Sequence, residues 1–300
     1  MLKIAYHPIY EHPLKKGHRF PMEKYDLLPK QLVYEGTCNE NNFFIPKKVK
    51  DEDVLRVHTS EYFENLKTLA LSKSEIRVTG FPLTRGLVDR ELIITQGTID
   101  ASLFALEYGI AMNIAGGTHH AFSTHGEAFC LLNDQAVAAM YLLHHKKASK
   151  VLVVDLDVHQ GNGTAEIFKN NPRVFTFSMH GEKNYPFNKE ISDLDIGLPN
   201  GITDQEYLNI LHETLPKLFE QEKPDFVYYL SGVDILDTDK LGKLGCSIEG
   251  CKKRDEFVLN LCVGKKIPVM CSMGGGYSPN IKTIIEAHAN TFRLANELIE

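Results

Sequence analysis

Residues 151–163 read VLVVDLDVHQGNG, and this stretch decides the class of fold that the sequence predicts. Its first five residues form a short β-branched, apolar run, which is typical of a buried strand. The run passes directly into a polar loop in which Asp155, Asp157 and His159 stand two residues apart, a spacing that lets their side chains point the same way. A buried strand that ends in chemically active side chains is typical of an α/β protein with a mainly parallel sheet.

Similar apolar runs recur along the chain and are separated by longer segments with helical spacing. The predicted strands are residues 3–6, 110–115, 151–155, 174–179, 226–231 and 268–272. The predicted helices are residues 60–71, 98–107, 133–145, 204–221, 253–263 and 282–298, with Ser60 at the start of the first and Asn133 or Asp134 capping the third. This alternation predicts an α/β fold with one open, mainly parallel sheet flanked by helices, in a single domain over residues 1–300.

Four of the predicted strands end in glycine-rich or polar sequence. These ends read GGTHHAF (116–122), DLDVHQGNG (155–163), SGVD (231–234) and MGGGYSP (273–279). In an open α/β sheet the ligand crevice lies at the carboxyl ends of the strands. We therefore expect the four segments to meet along one edge of the sheet.

The residues at two of these ends suit a metal ion. Asp155, Asp157 and His159 offer oxygen and nitrogen ligands for a borderline divalent metal, and Asp234 can supply a further carboxylate from another strand. Two carboxylates and one imidazole leave a position open for water and substrate, which is the pattern of catalytic zinc. Taken alone, the DLDVH segment favours a loop that caps the helix after Gly163, and Asp234 alone favours a cap or turn residue.

The other two ends offer groups that act beside a metal. His119 and His120 follow a strand and a glycine pair, and two imidazoles there would provide a general base and a general acid. Tyr277 follows three glycines, and its hydroxyl could donate to the oxygen of a carbonyl under attack. The glycines match neither a dinucleotide-binding fingerprint nor a P-loop. The residues together predict a metal hydrolase that acts on an amide or ester carbonyl.

Composition and charge exclude several other classes of protein. The 300 residues are 43% hydrophobic and 24% charged, which is ordinary for a soluble globular chain and excludes a disordered or fibrous one. A net charge of −6 without a basic stripe argues against direct nucleic-acid binding. There is no apolar run long enough to span a bilayer and no signal-peptide core, so we expect a cytoplasmic protein, or a nuclear one if the host is eukaryotic. Six cysteines without a CxxC pair indicate free thiols.

The four strand-end segments, in this order and at this spacing, resemble the histone deacetylase superfamily, which has the arginase–deacetylase fold. The resemblance covers essentially the whole chain and includes VLRVHTSEY (54–62) and FCLLND (129–134). Gln160, Asn162 and the sequence GVDILDTDKLGKL (232–244) are most similar to class IV histone deacetylases and their bacterial relatives.

The resemblance implies a role for each matching residue. Three positions match the zinc ligands of the family: Asp157, His159 and Asp234. Three others match its tandem histidines and its carbonyl-polarising tyrosine: His119, His120 and Tyr277. Asp155 matches the carboxylate that orients the first of these histidines. Such outer partners set the tautomer and basicity of an imidazole.

Two further sites are implied by the same resemblance. Asp155, Ser178 and Met179 match part of an inner monovalent-cation site, usually filled by potassium. Four residues match the walls and floor of the acyl-lysine channel: Gly117, Phe129, Tyr185 and Leu241. Plain core packing is an equally good interpretation of the aromatic members of this set on sequence alone.

The chain also departs from the family pattern. Many members carry a carboxylate at position 162 that pairs with the second histidine, whereas Asn162 is neutral. We therefore predict a lower pKa for His120 than in relatives with aspartate there. Thr118 stands where tryptophan is common. Arg19 matches either the arginine of the acetate-exit tunnel or an element of the rim.

The sequence thus predicts a zinc-dependent hydrolase, with ferrous iron as the alternative metal, that removes acetyl or longer acyl groups from lysine side chains of proteins or peptides. Two alternatives remain open at this stage. One is deacetylation of small molecules such as acetylpolyamines, and the other is a non-catalytic acyl-lysine-binding protein. An arginase-like ureohydrolase would need more carboxylates for its two manganese ions than these motifs supply.

Overall fold

The structure, a computed structural model, describes residues 1–299 and is built around one eight-stranded sheet. The strands are β1 (Lys3–Ala5), β2 (Phe43–Phe44), β3 (Ile110–Asn113), β4 (Val151–Asp155), β5 (Val174–Gly181), β6 (Leu194–Leu198), β7 (Phe226–Leu230) and β8 (Val269–Ser272). Their order is β2-β1-β3-β8-β7-β4-β5-β6, and every neighbouring pair is parallel. The expected open parallel sheet is confirmed.

Helices flank this sheet. They are α1 (Lys24–Tyr34), α2 (Asp51–Val54), α3 (Ser60–Lys67), α4 (Lys73–Thr79), α5 (Arg85–Tyr108), α6 (Asp134–His144), α7 (Asn162–Phe168), α8 (Asp204–Glu222), α9 (Ile248–Gly264) and α10 (Ile281–Glu297). Helix α5 packs on α6 and on β1, β3 and β8, while α8, α9, α10 and α1 pack in a row. Strands β3, β4, β7 and β8 are buried at every residue, which explains their continuous apolar sequence.

The four strands with unusual ends are neighbours in the middle of the sheet. Along the row β3, β8, β7 and β4, Asn113 pairs with Ser272, Ser272 with Leu230, and Leu230 with Asp155. The last residues of the four strands therefore lie level. This register brings the four polar segments together at one edge, as we expected.

Some elements differ from the sequence-based expectation. Helix α5 begins at Arg85, whereas the predicted helix begins at residue 98. The sequence does not reveal the first half because buried residues lie on every face of it and leave no amphipathic stripe. Helix α1 was not predicted because Pro29 lies inside it, and β6 was not predicted because this edge strand is only partly buried. Helix α3 is capped by Thr59, one residue before Ser60, whereas Asn133 caps α6 as expected.

Within the described residues, no helix is both long enough and apolar enough to cross a bilayer. All six cysteines are buried and free, which agrees with the interpretation as thiols.

Candidate active site

A cluster of three buried side chains of the types that ligate metal ions lies where β4 and β7 end. Asp157 and His159 follow β4, and Asp234 follows β7. Their ligand atoms all lie within 4.8 Å of one another. His159 Nδ1 is 3.0 Å from Asp157 Oδ1 and 3.2 Å from Asp234 Oδ2. One imidazole nitrogen and two carboxylate oxygens thus converge on one point.

The surroundings of the cluster fit a divalent cation. The backbone N–H of Gly275 donates to Asp157 Oδ2 at 2.8 Å, and that of Val158 donates to Asp234 Oδ1 at 3.0 Å. Asp234 Oδ2 is buried and, apart from the 3.2 Å ion-pair contact with His159 Nδ1, makes no hydrogen bond. A buried carboxylate oxygen without a partner is costly, and a bound cation removes that cost. The donor set of one nitrogen and two oxygens suits zinc or ferrous iron.

Gly275 is required for this arrangement. A Cβ atom at this position would overlap the carboxylate of Asp234. The glycine-rich segment after β8 therefore allows the backbone to approach the two carboxylates closely enough to hydrogen-bond one of them.

The tandem histidines stand beside the cluster and have different partners. His119 Nδ1 is 2.7 Å from Asp155 Oδ2, the contact that the family resemblance implied. His120 Nδ1 is 2.6 Å from Asn162 Oδ1. The two ring centroids are 4.1 Å apart. Adjacent residues in the sequence therefore pair with a carboxylate in one case and a neutral amide in the other.

The pKa values of the two imidazoles are shifted in opposite directions. Burial disfavours the charge on His119, but the Asp155 carboxylate and its hydrogen bond more than offset this and raise the pKa of His119. Burial lowers the pKa of His120 well below its usual value, and His119 and His159 lower it further. Two neighbouring groups with pKa values pushed apart are suited to serve as acid and base.

Tyr277 borders the same cavity from the segment after β8. Its backbone N–H donates to Asp239 Oδ2 at 2.6 Å, and its ring centroid lies 6.4 Å from that of His159. Burial raises the pKa of Tyr277 well above its ordinary value, and the charges of Asp234 and Asp157 add to this. The hydroxyl is therefore a proton-bearing hydrogen-bond donor.

The predicted channel residues lie at two levels. Phe129, Tyr185 and Leu241 line the mouth together with Tyr277, around a cavity of about 300 Å³. Gly117 lies deeper and lines the inner cavity beside the tandem histidines. The arrangement is an aromatic-walled opening above the metal-binding cluster.

The wall segment that carries Phe129 has a strained backbone. Phe129 has φ +71, a left-handed conformation that is rare for a bulky residue. Its N–H donates to the carbonyl of Thr79 at 2.6 Å, which ties the segment to the end of α4. Strain of this kind persists only where surrounding contacts enforce it, and it concentrates at functional sites.

The residues of the predicted monovalent-cation site are also brought together. Asp155 pairs with Ser178 across β4 and β5, and Met179 follows in β5. Ser178 Oγ shares a hydrogen bond of 3.0 Å with His180 Nδ1. Potassium at this site stays a prediction.

Arg19 lies at the mouth and not in the interior. Its guanidinium carbon is 4.9 Å from the ring centroid of Phe129, and it lines the outer cavity. Of the two interpretations from sequence, the rim position is the one observed. The cations near the inner cavity are instead Arg90 and Lys24.

Lys24 was missed by sequence reasoning. It is fully buried, and its Nζ donates to the carbonyl of Gly274 at 3.0 Å and lies 5.9 Å from the ring centroid of Tyr277. Burial lowers its pKa to about 8. A lysine near the start of a helix normally indicates a solvated face, so its sequence context carried no signal. Asp239, which also holds the Tyr277 segment, lies within the 232–244 sequence that the resemblance had marked.

Comparison with known proteins identifies the family. The chain matches the family model of the histone deacetylase domain over residues 18–292 and therefore belongs to the histone deacetylase family. It is 42% identical over 295 residues to an uncharacterized protein of Picosynechococcus sp., with 98% of each chain covered. The expected superfamily is thereby confirmed, and membership supports a metal-dependent deacetylase hydrolase.

Eukaryotic relatives agree. The chain is 32% identical to Histone deacetylase 2 of Arabidopsis thaliana, over 91% of this chain and 73% of that protein. It is 28% identical to Histone deacetylase 1 of Homo sapiens, over 91% of this chain and 58% of that protein. The crystal structure of the HDA15 HD domain shares the fold, with a TM-score of 0.81 at 21% identity over 96% of this chain and 89% of that one.

Proposed function

We propose that the protein is a zinc-dependent lysine deacylase that removes acetyl or longer acyl groups from protein or peptide side chains. The observation that carries the proposal is the position of the buried Asp157, His159 and Asp234 cluster. Asp157 and His159 line the same inner cavity as His120 and Tyr277, beneath an aromatic-walled opening. We further propose that the protein belongs to the class IV branch, because its motif detail at Gln160, Asn162 and residues 232–244 is most similar to that branch.

The residues of this chain divide the work as follows. A zinc ion held by Asp157, His159 and Asp234 would supply Lewis acidity that lowers the pKa of water and polarises a carbonyl. His120, kept neutral by burial, accepts the proton of the attacking water. His119, whose pKa is raised beside Asp155, donates a proton to the leaving amine.

Tyr277 and the channel position the substrate. The Tyr277 hydroxyl donates to the carbonyl oxygen as negative charge develops there. Phe129 and Tyr185 enclose the apolar lysine stem, whose methylenes pack on their rings. Potassium at Asp155 and Ser178 would hold β4 and β5 together beneath the cluster.

The charge of the mouth favours a peptide over a polyamine. Arg19, Lys183 and Lys243 line it, and within the described residues none of the three forms a salt bridge and no acidic side chain joins this lining. Polyamines are polycations, so a cationic mouth repels them. A peptide can instead bring neutral or acidic residues to these positions.

The test is turnover by purified protein loaded with zinc or with ferrous iron. The substrates are lysine peptides with acyl chains from acetyl to myristoyl, together with acetylpolyamines, and the products are followed by mass spectrometry. Each reaction has a chelator-treated control. Chelator-sensitive lysine deacylation is expected. The length of the preferred acyl chain then reports the size of the cavity below the mouth.

Two other outcomes would contradict the proposal. Turnover of acetylpolyamines alone would assign the protein to small-molecule metabolism. Metal binding without any turnover, together with retained affinity for acyl-lysine peptides, would indicate a binding protein.

A further inference from the structure

One acidic residue near the site, Glu127, has no role in the chemistry described so far. It lies in the turn that precedes the channel wall, where the N–H of Cys130 donates to its carbonyl at 2.7 Å. Its carboxylate contacts Asn162, Tyr185 and His125, at 3.3, 2.5 and 3.4 Å respectively. The Glu127 carboxylate therefore contacts Asn162, whose side chain is hydrogen-bonded to His120 Nδ1.

The side-chain amide of Asn162 lies between Glu127 and His120. Its Nδ2 donates to Glu127 Oε2, and its Oδ1 lies 2.6 Å from His120 Nδ1. An amide has one donating end and one accepting end, and by itself it could present either end to an imidazole. An ionised carboxylate only accepts hydrogen bonds, so the end facing Glu127 must be the NH2 group.

Glu127 is ionised where it stands. Burial opposes its charge, but hydrogen bonds from His125, Tyr185 and Asn162 hold the pKa of Glu127 below its usual value. Its Tyr185 partner also packs edge-on against His120, with ring centroids 5.1 Å apart. The carboxylate thus fixes both the amide and the aromatic ring that contact this histidine.

The orientation of the amide decides which nitrogen of His120 carries the proton. Because Asn162 presents its oxygen, His120 Nδ1 must be the N–H donor. A neutral imidazole has one N–H, so Nε2 keeps its lone pair. The His120 ring lines both cavities, and its only described hydrogen bond is the one through Nδ1, so Nε2 is the nitrogen left for a proton from the cavity.

We propose that Glu127 is a positioning residue that sets the His120 tautomer through Asn162. His119 contacts the carboxylate of Asp155 directly. The carboxylate of Glu127 instead acts on His120 through the side-chain amide of Asn162. This arrangement orients His120 without placing a negative charge next to it, so the imidazole stays neutral. The naming of His120 as the base rests on the proposed function, but the tautomer does not.

The first measurement is the tautomer itself. Long-range ¹H–¹⁵N spectra of the zinc-loaded protein, with His120 assigned by a His120→Gln variant, report which ring nitrogen is protonated. The wild type is expected to show Nδ1–H alone. Glu127→Ala is expected to show a mixture of Nδ1–H and Nε2–H, because the side-chain amide of Asn162 is then free to flip. An unchanged tautomer in Glu127→Ala would overturn the proposal.

The second measurement is a rescue. Glu127→Ala is expected to reduce kcat about 10–100-fold, the usual effect of losing an outer-shell partner. Adding Asn162→Asp should restore most of kcat, because both oxygens of a carboxylate accept and its orientation no longer matters. Glu166→Ala is the matched control, since it removes a half-buried carboxylate that hydrogen-bonds Ser123 and leaves Glu127 and Asn162 in place, and it should keep wild-type kcat.

A purely structural role gives a different pattern. If Glu127 only supported the channel wall, Tyr185→Phe would reproduce the loss of kcat, Asn162→Asp would not rescue it, and the proposal would be wrong. Absence of turnover in the wild type would contradict the proposed function instead, and the tautomer spectra would still decide the role of Glu127.

Discussion

The hydroxyl of Tyr277 can be removed while the rest of the side chain is kept. Tyr277→Phe keeps the ring beside Phe129 and removes the donor to the developing oxyanion. We expect kcat to fall about 10²–10³-fold with little change in KM. Steady-state kinetics on the preferred peptide measure this. Tyr228→Phe removes a buried hydroxyl bonded to Ser102, away from the cavity, and should keep full activity; full activity in Tyr277→Phe would refute the assigned role.

His58 illustrates a second residue-scale effect, on stability. Its Nδ1 donates to the carbonyl of Phe122 and its Nε2 accepts from the N–H of Asn133, both at 3.0 Å, so the neutral ring joins the 54–62 segment to the start of α6. Burial lowers the pKa of His58 to about 4. In the unfolded chain the imidazole takes up its proton at about pH 6.5. The stability it contributes is therefore complete above that pH and is lost as the pH falls towards 4.

The variant His58→Gln should lack this pH dependence. We expect its free energy of unfolding to fall less than that of the wild type between pH values of about 7 and 4.5, by about 2–3 kcal/mol. Urea denaturation at both pH values measures the difference. The exposed His144 provides the control, because His144→Gln should follow the wild type. Parallel wild-type and His58→Gln profiles would contradict the assignment.

At the scale of elements, an ion pair joins the end of α1 to α10. Arg293 Nε and Nη2 donate to the two oxygens of Glu35 at 2.8 and 2.7 Å. The hydrogen bonds from Arg293 lower the pKa of Glu35 to about 2. Because the folded-state pKa is depressed, the pair stabilises the fold at pH values above the ordinary glutamate range, and this stabilisation is lost as the pH falls through that range towards 2.

Arg293→Gln should therefore lower the free energy of unfolding by about 1 kcal/mol at neutral pH, since the pair is two-pronged but lies near the surface. The loss relative to wild type should shrink below the ordinary glutamate pKa of about 4.3. Lys217→Gln, which breaks the exposed pair with Glu213 inside α8, should cost less than half as much. Chemical denaturation measures both free energies of unfolding. Equal decreases in the two variants would show that the ion pair between helices stabilises the fold no more than an exposed pair within one helix does.

At the scale of the whole molecule, the mouth of the channel is positively charged although the chain as a whole is negative. The chain carries −6 overall, yet the mouth is lined by Arg19, Lys183 and Lys243. We expect an acyl-lysine peptide with acidic flanking residues to have about tenfold higher kcat/KM than the same peptide with basic flanks, and the ratio to fall as salt is added. The double variant Lys183→Glu and Lys243→Glu should reverse the preference. Lys217→Glu, on α8, should not, and an unchanged preference in the double variant would disprove the role of the mouth.

Most strands and most candidate site residues could be predicted from sequence for one physical reason. Central strands buried on both faces must be continuously apolar, so residues that break this pattern at a strand end stand out. Asp157, Asp234 and Tyr277 were found in this way. Lys24 and Glu127 were not, because their partners, Gly274 and Asn162, lie 250 and 35 residues away and nothing local marks them.

By itself, the sequence determined the parallel α/β sheet, the four segments that meet at its edge and, through their motifs, the histone deacetylase family. Local apolar patterns and residue types carry that information directly. Only the tertiary structure decided that Glu127 contacts Asn162, that Arg19 lies at the mouth and that a buried lysine supports the Tyr277 segment. These features depend on side-chain contacts between distant elements, and such contacts exist only once the sheet has brought the strand ends together.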